Sequence, residues 1–184
     1  LMLLRRQMEY TEIIRAGGWE TLPGGIRSLH GARITVLGTG DIGTEFARRA
    51  QAFRPACITG VRRTVRPSDP AFTSIHAIAE LDSVLPETDI LVMALPSTAE
   101  TVGILSRERI ALLPDSAFVV NVGRGTAIDQ EALCDALNAG RLAGAALDVV
   151  VPEPLPADHP LRRAKNLLLT PHVAGNMTLG YTCD

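Results

Sequence analysis

The sequence predicts an α/β fold, a doubly wound sheet of parallel strands. Short apolar runs alternate with helical patterns along most of the 184 residues, the order that parallel strands joined by crossover helices require. Several runs are apolar at consecutive positions, as in strands covered on both faces. One run ends in a glycine-dense turn that leads directly into a helix, "VLGTGDIGTEFARRA" at 36–50.

The elements are expected in this order. "LMLLRRQMEYTEIIRAGG" reads as a helix ended by Gly17 and Gly18, with Leu3, Leu4, Met8, Ile13 and Ile14 near helical spacing. "WETLPGGIRSLHGA" is rich in turn residues and marks a boundary. Strands are expected at "RITVLG", "ACITGV", "DILVMAL", "AFVVNV", "AGAALDVV" and "NLLLTP". Helices are expected at Asp41 to Phe53, Ser74 to Leu85, Arg107 to Leu113 and Asp129 to Ala139. Pro152, Pro154, Pro156 and Pro160 punctuate a late loop, "VPEPLPADHP".

Composition narrows the function classes. Apolar residues make up 46% and charged residues 21%, with a formal charge of −2. Such a chain has no broad basic field for nucleic acid. No stretch reaches the roughly 18 apolar residues that a membrane helix needs. Cys57, Cys134 and Cys183 are far apart and lack the spacing of metal ligands, so no metal is expected, and the thiols read as reduced ones in a cytoplasm. The chain begins with Leu1, which reads as a piece of a longer protein.

Gly38, Gly40 and Gly43 fit G-x-G-x-x-G between the strand "ITVL" and a helix. Such a turn presents backbone N–H groups and a positive dipole end to an anion. The first glycine permits the tight turn, the second lets a pyrophosphate approach, and the third lets helix pack on strand. The expected ligand is a dinucleotide, with Asp41 and Ile42 counted among the binding residues. NAD specificity calls for a carboxylate roughly 20 residues further on, yet no Asp or Glu occurs between Glu45 and Asp69. Arg62, Arg63 and Arg66 follow the second strand instead. Guanidinium groups suit a phosphate, so NADP is the favoured cofactor and NAD the alternative; a solvated basic loop is the plainer reading.

Three further stretches, "NVGRG" at 121–125, "LDVVVPEPLP" at 147–156 and "LTPHVAG" at 169–175, stand in order after "GTGDIG". Together they resemble the cofactor domain of the D-isomer-specific 2-hydroxyacid dehydrogenases, from about Gly31 to Gly175. The resemblance implies a Rossmann fold, a nicotinamide cofactor and a 2-oxo acid or D-2-hydroxy acid substrate, with glyoxylate/hydroxypyruvate reductases among the kin. It implies a catalytic trio of Arg124, Glu153 and His172. A histidine can protonate a carbonyl oxygen near neutral pH, a neighbouring carboxylate can orient it and favour its charged form, and an arginine can bind the substrate carboxylate. It also implies cofactor contacts at Leu95 and Pro96 (adenosine side), Thr101 (phosphates), and Val122, Gly123 and Asp148 (nicotinamide end), with Arg124 and His172 beside them. Val61 takes the place where NAD-preferring kin carry aspartate. The resemblance further implies that residues 1–30 are a linker helix and entry loop, 31–175 the dinucleotide-binding domain, and 176–184 the start of a return helix. The substrate domain is then largely absent from this chain, and a homodimer is expected of the complete protein. Two rivals remain: a cofactor-sensing, non-catalytic protein of corepressor type, and a 3-hydroxyacid dehydrogenase. The latter group relies on a lysine, and the only one here, Lys165, stands in no such motif.

Overall fold

A computed structural model of the chain describes residues 1–65 and 69–175. Arg66 and the expected return helix at 176–184 lie outside the described residues. The elements are α1 (Gln7–Arg15), β1 (Arg33–Leu37), α2 (Asp41–Ala50), β2 (Cys57–Arg62), β3 (Ser74–Ala77), α3 (Leu81–Val84), β4 (Ile90–Met93), α4 (Arg107–Leu112), β5 (Phe118–Asn121), α5 (Gln130–Asn138), β6 (Gly144–Leu147) and β7 (Leu167–Leu169). The seven strands form one sheet in the order β3-β2-β1-β4-β5-β6-β7. Every neighbouring pair is parallel. This is the doubly wound, Rossmann-type sheet, and its strand order reverses between β1 and β4, where such folds open a crevice.

Alternation within the strands splits the core in two. Ile34, Val36, Ile58, Ile90, Val92 and Phe118 face one side, where Ala47 and Ala50 of α2 pack with Leu4 and Leu29. Leu37, Val61, Leu91, Met93, Val119 and Leu147 face the other, where Leu81 of α3, Ile110 of α4 and Leu133 and Leu137 of α5 cover them. Both faces are apolar because both are covered. Thr35 on β1 is buried, and its hydroxyl meets that of Thr88 at 2.7 Å, so the polar atom carries its partner inside.

Two expectations are corrected here. The helix expected from Ser74 begins only at Leu81; Ser74–Ala77 is a strand pairing with β2. "SIHA" is half-buried at all four positions, an edge strand without a continuous apolar run to reveal it. The first helix begins at Gln7, and the residues before it form turns, with Arg6 in a left-handed conformation (φ 51).

Opposite the crevice, the entrances to β1 and β4 are tied by charge. Asp89 accepts from the Arg33 backbone N–H at 2.8 Å, from Nη2 at 2.9 Å and from Nε at 3.2 Å. These bonds from Arg33 hold the Asp89 carboxyl below its ordinary pKa. A lowered folded pKa means that the stabilisation is present above the unfolded aspartate value of about 3.9 and is lost as pH falls through the folded value. Asp89→Asn is therefore expected to cost about 1–3 kcal/mol at neutral pH. Urea unfolding from pH 7 down to pH 2.5 checks this: the gap between parent and variant should narrow in the acid range below about pH 4.

Candidate functional site at the carboxyl ends of the strands

The three glycines of the turn meet three different environments. Gly38 has φ +103, and a Cβ there would lie 2.7 Å from the Ala94 carbonyl oxygen, so both its torsion and its closeness to the end of β4 demand glycine. A Cβ on Gly43 would sit 2.0 Å from the Gly38 carbonyl oxygen, so α2 presses directly on the turn. A Cβ on Gly40 would meet nothing within 4 Å. Here the missing side chain leaves open space rather than room for protein. Gly40 is also the residue capping α2, and no side chain bonds to the helix start. By contrast, the Ser106 hydroxyl accepts from Arg109 N at the start of α4, and Asp129 Oδ1 accepts from Ala132 N at the start of α5. An uncapped helix start beside open space is a seat for an anion. Asp41 and Ile42 form the exposed first turn there.

Beyond the second strand, the structure buries the position expected at the ribose corner. Val61 is fully buried in the core, so its side chain cannot reach a ligand. Gly60, one residue earlier, is also buried: a Cβ there would lie 2.5 Å from Ile75 Cδ1 and 2.7 Å from Thr39 Cγ2. Neither position carries an acid. Thr39, Gly40, Arg62, Arg63 and Thr64 line a cleft of about 220 Å³. Arg63 also lies 3.4 Å from Glu100, with both side chains exposed, a pair of little energetic weight.

Three loops continue this edge. After β4, Leu95 is buried and Pro96 exposed. Thr101 is 6% exposed. Its hydroxyl donates to the Pro96 carbonyl at 2.6 Å and accepts from Thr98 N at 2.8 Å. The structure thus commits Thr101 to shaping the loop. After β5, Asn121 organises "NVGRG": its amide donates to the Arg124 carbonyl at 2.9 Å, and its oxygen accepts from Gly123 N at 3.0 Å. Asn121 was not among the expected residues; only its burial at 1% exposure and these two bonds mark it out. A Cβ on Gly123 would lie 2.6 Å from the Leu95 carbonyl oxygen, so this loop rests on the preceding one, with Val122 half-buried between. The exposed Arg124 bonds to the Gly123 carbonyl through Nη1 at 2.7 Å.

At β6 and β7 the structure brings two of the trio together. His172 Nδ1 lies 2.8 Å from Glu153 Oε2. Glu153 Oε1 accepts from Val150 N at 2.9 Å. The bond to His172 and then that from Val150 hold the Glu153 carboxyl below its ordinary pKa. An ionised carboxylate only accepts, so Nδ1 carries the proton between them and Nε2 is left for another group. His172 sits at φ 54, a left-handed conformation that costs a non-glycine residue about 1–3 kcal/mol and collects at functional sites. Its backbone N–H donates to the Asp148 carbonyl at 2.8 Å. Asp148 itself is 7% exposed. Burial raises its pKa, but bonds from the Thr170 hydroxyl at 2.6 Å, Ala174 N at 3.0 Å and Val173 N at 3.0 Å outweigh it, and the net shift is downward. Arg124 stands outside the His172–Glu153 contact, on the loop whose Gly125 would place a Cβ 2.4 Å from Val150. A cavity of about 600 Å³ opens beside Asp148, Glu153, Leu155, Thr170 and His172.

Among the described residues no group of three or more His, Cys, Asp and Glu is placed to hold a metal ion, and no helix is long and apolar enough to cross a membrane. A sequence model described as "D-isomer specific 2-hydroxyacid dehydrogenase, NAD binding domain" matches residues 1–174. Glyoxylate/hydroxypyruvate reductase B of Pectobacterium carotovorum subsp. carotovorum (strain PC1) is 38% identical over 176 residues, covering 92% of this chain and 53% of the relative. The chain thus spans about half the length of the curated relatives it matches. The crystal structure of phosphoglycerate dehydrogenase from Lactobacillus plantarum superposes with a TM-score of 0.87 at 35% identity, over 96% of this chain and 56% of that one. A D-isomer specific 2-hydroxyacid dehydrogenase from Xanthobacter autotrophicus Py2, in complex with NADPH and MES, superposes with a TM-score of 0.83 at 34% identity, over 94% and 69%.

The contrast among the glycines gives a direct stability test. Gly40→Ala adds a methyl where nothing lies within 4 Å, at a φ of −79 that alanine tolerates, so its melting temperature should stay within a few degrees of the parent. Gly43→Ala must displace the Gly38 carbonyl and should lose about 2 kcal/mol or more, as overpacked sites do. Thermal unfolding followed by circular dichroism ranks the two; an equal loss in both would contradict the assigned environments.

Proposed function

We propose a function from one premise: the chain belongs to the D-isomer specific 2-hydroxyacid dehydrogenase family. It is the cofactor-binding half, with residues 31–175 as that domain and 1–30 as its entry, of an enzyme that interconverts 2-oxo and D-2-hydroxy acids. The substrates are of the glyoxylate/hydroxypyruvate class that the names of its relatives print. The observation that carries the reading is the His172–Glu153 contact at 2.8 Å, set on the same edge of the sheet as the uncapped start of α2.

The residues present fit a dinucleotide. Gly40 leaves open the space that a pyrophosphate needs, and Gly38 and Gly43 bring the turn and helix close enough to present their N–H groups. Asp41 and Ile42 would contribute backbone donors at the first turn. Leu95 and Pro96 would flank the adenosine side, with Thr101 holding their loop, while Val122, Gly123 and Asp148 border the nicotinamide end. When bound, the nicotinamide cofactor supplies the hydride. His172 holds a proton on Nδ1 against Glu153, and its Nε2 delivers a second proton to the carbonyl oxygen as the hydroxyl forms. Glu153 fixes the ring and stabilises its charged form. Arg124 receives the substrate carboxylate and polarises the carbonyl.

The cofactor is NADPH in preference to NADH. The cleft at the end of β2 holds Arg62 and Arg63, and neither Gly60 nor Val61 offers a carboxylate to ribose hydroxyls or against a 2′-phosphate. The relative from Xanthobacter autotrophicus Py2 was crystallised with NADPH, which accords with this reading.

Two experiments test the assignment. In the complete enzyme, His172→Ala should lower kcat by about 10²–10⁴-fold while the NADPH Kd stays within a few-fold, because a proton donor acts mainly in the transition state. A complete parent protein that oxidises NADPH with no 2-oxo acid would overturn the function. In paired titrations the parent should bind NADPH roughly tenfold to a hundredfold more tightly than NADH, the worth of a charge-assisted contact of about 1.5–3 kcal/mol. Arg62→Ala and Arg63→Ala should each shrink that ratio, and raised salt should weaken it, since an exposed phosphate contact is screened. Equal or tighter binding of NADH by the parent would make these arginines a solvated loop.

A further inference from the structure

The Glu153 loop is poorly equipped to hold itself. Pro152 and Pro154 bracket Glu153 and supply no N–H. Of the nearby amides, Val150 N is spent on the Glu153 carboxylate itself. The loop is tied at two places by side chains from outside. Downstream, Arg162 donates to the Leu155 carbonyl at 2.6 Å and to the Pro156 carbonyl at 2.7 Å. Upstream, the Gln130 amide donates to the Val151 carbonyl at 2.6 Å and accepts from Val151 N at 2.9 Å. That pair of bonds gives Val151 what a neighbouring strand would give it.

Gln130 is the first residue of α5, but the helix does not need its side chain. Asp129 already caps α5 by accepting from Ala132 N at 2.9 Å. The two-point contact also crosses between the catalytic loops: Gln130 follows the "NVGRG" segment that carries Arg124, and Gly125 of that segment presses on Val150. A clamp at Val151 therefore sets the Glu153 loop against the Arg124 loop as well as against His172.

We propose that Gln130 is a positioning residue, whose side-chain amide clamps Val151 and thereby fixes the Glu153 carboxylate against His172. The proposal rests on the function proposed above. Small displacements of catalytic groups are costly, with about 1 Å worth as much as 10²-fold in rate, so a half-exposed glutamine can matter out of proportion to its stability contribution.

The test is a double-mutant cycle on kcat in the complete enzyme, with the NADPH Kd measured alongside. Gln130→Ala should lower kcat about tenfold and leave the NADPH Kd within twofold. Gln130→Met keeps the length but neither bond, and should behave as the alanine variant does; if it restores parental kcat, the side chain fills space and the clamp is wrong. Added to Glu153→Gln, Gln130→Ala should change kcat less than twofold further, because its effect passes through the carboxylate. A full tenfold loss in that background would mean a general structural role and overturn the proposal, as would a parental kcat in Gln130→Ala. A parental kcat in Glu153→Gln alone would remove the role of Glu153 itself, and with it both the proposed chemistry and the clamp's purpose.

Discussion

The arrangement of the carboxyl edge depends on one buried carboxylate. Asp148 follows directly on β6 at 7% exposure, where an ion without partners would be expelled or neutralised. It stays charged because the chain after β7 closes around it, with the Thr170 hydroxyl and the N–H groups of Val173 and Ala174 on its two oxygens. The Asp148 carbonyl takes the N–H of His172. Four of the five residues that follow β7, all but Pro171, are thus bent toward one aspartate. The bend explains why His172 accepts a left-handed backbone: the imidazole is set where the closure leaves it, facing Glu153. The acid expected as a cofactor contact is first the organiser of the histidine's position.

At the other end of the edge the same economy works by omission. α4 and α5 have side-chain caps on their first turns, from Ser106 and Asp129, while α2, like α1 and the short α3, has none. A protein built for stability alone would place Ser or Asp at residue 40. Glycine there leaves the helix start uncapped and its approach open, a local rule broken where an external anion can take the cap's place. The close approaches at Gly38, Gly43 and Gly123 do the complementary work, pulling the glycine turn, the loop after β4 and the "NVGRG" loop into contact.

Much of this was legible in the sequence because it is local. Each of the six apolar runs became a strand, and the glycine turn stands between strand and helix as its spacing predicts. β3 was missed because an edge strand with Ser74 and His76 carries no apolar run, and a short 3-10 turn and helix follow it at once. Val61, expected at the ribose corner, lies in the core instead, because a strand's facing depends on pairing register, which one residue reverses. Thr170 could not be read for another reason: its bond to the Asp148 carboxylate spans 22 residues that only the folded chain brings near. Asn121 bonds locally, to Gly123 N and the Arg124 carbonyl, but no spacing sets it apart from its neighbours in the loop. Motif spacing marks the residues that meet a ligand; those that hold them carry no such spacing.

The central claim is that one edge of this sheet seats a dinucleotide from the glycine turn to the histidine. Its most direct test is a crystal structure of the protein grown with NADP⁺. The account predicts the pyrophosphate against the backbone of Gly40, Asp41 and Ile42, the 2′-phosphate between Arg62 and Arg63, and the nicotinamide ring on the side of the sheet edge where His172 meets Glu153. A dinucleotide bound with its phosphates away from the start of α2, or with its nicotinamide directed away from His172, would contradict it.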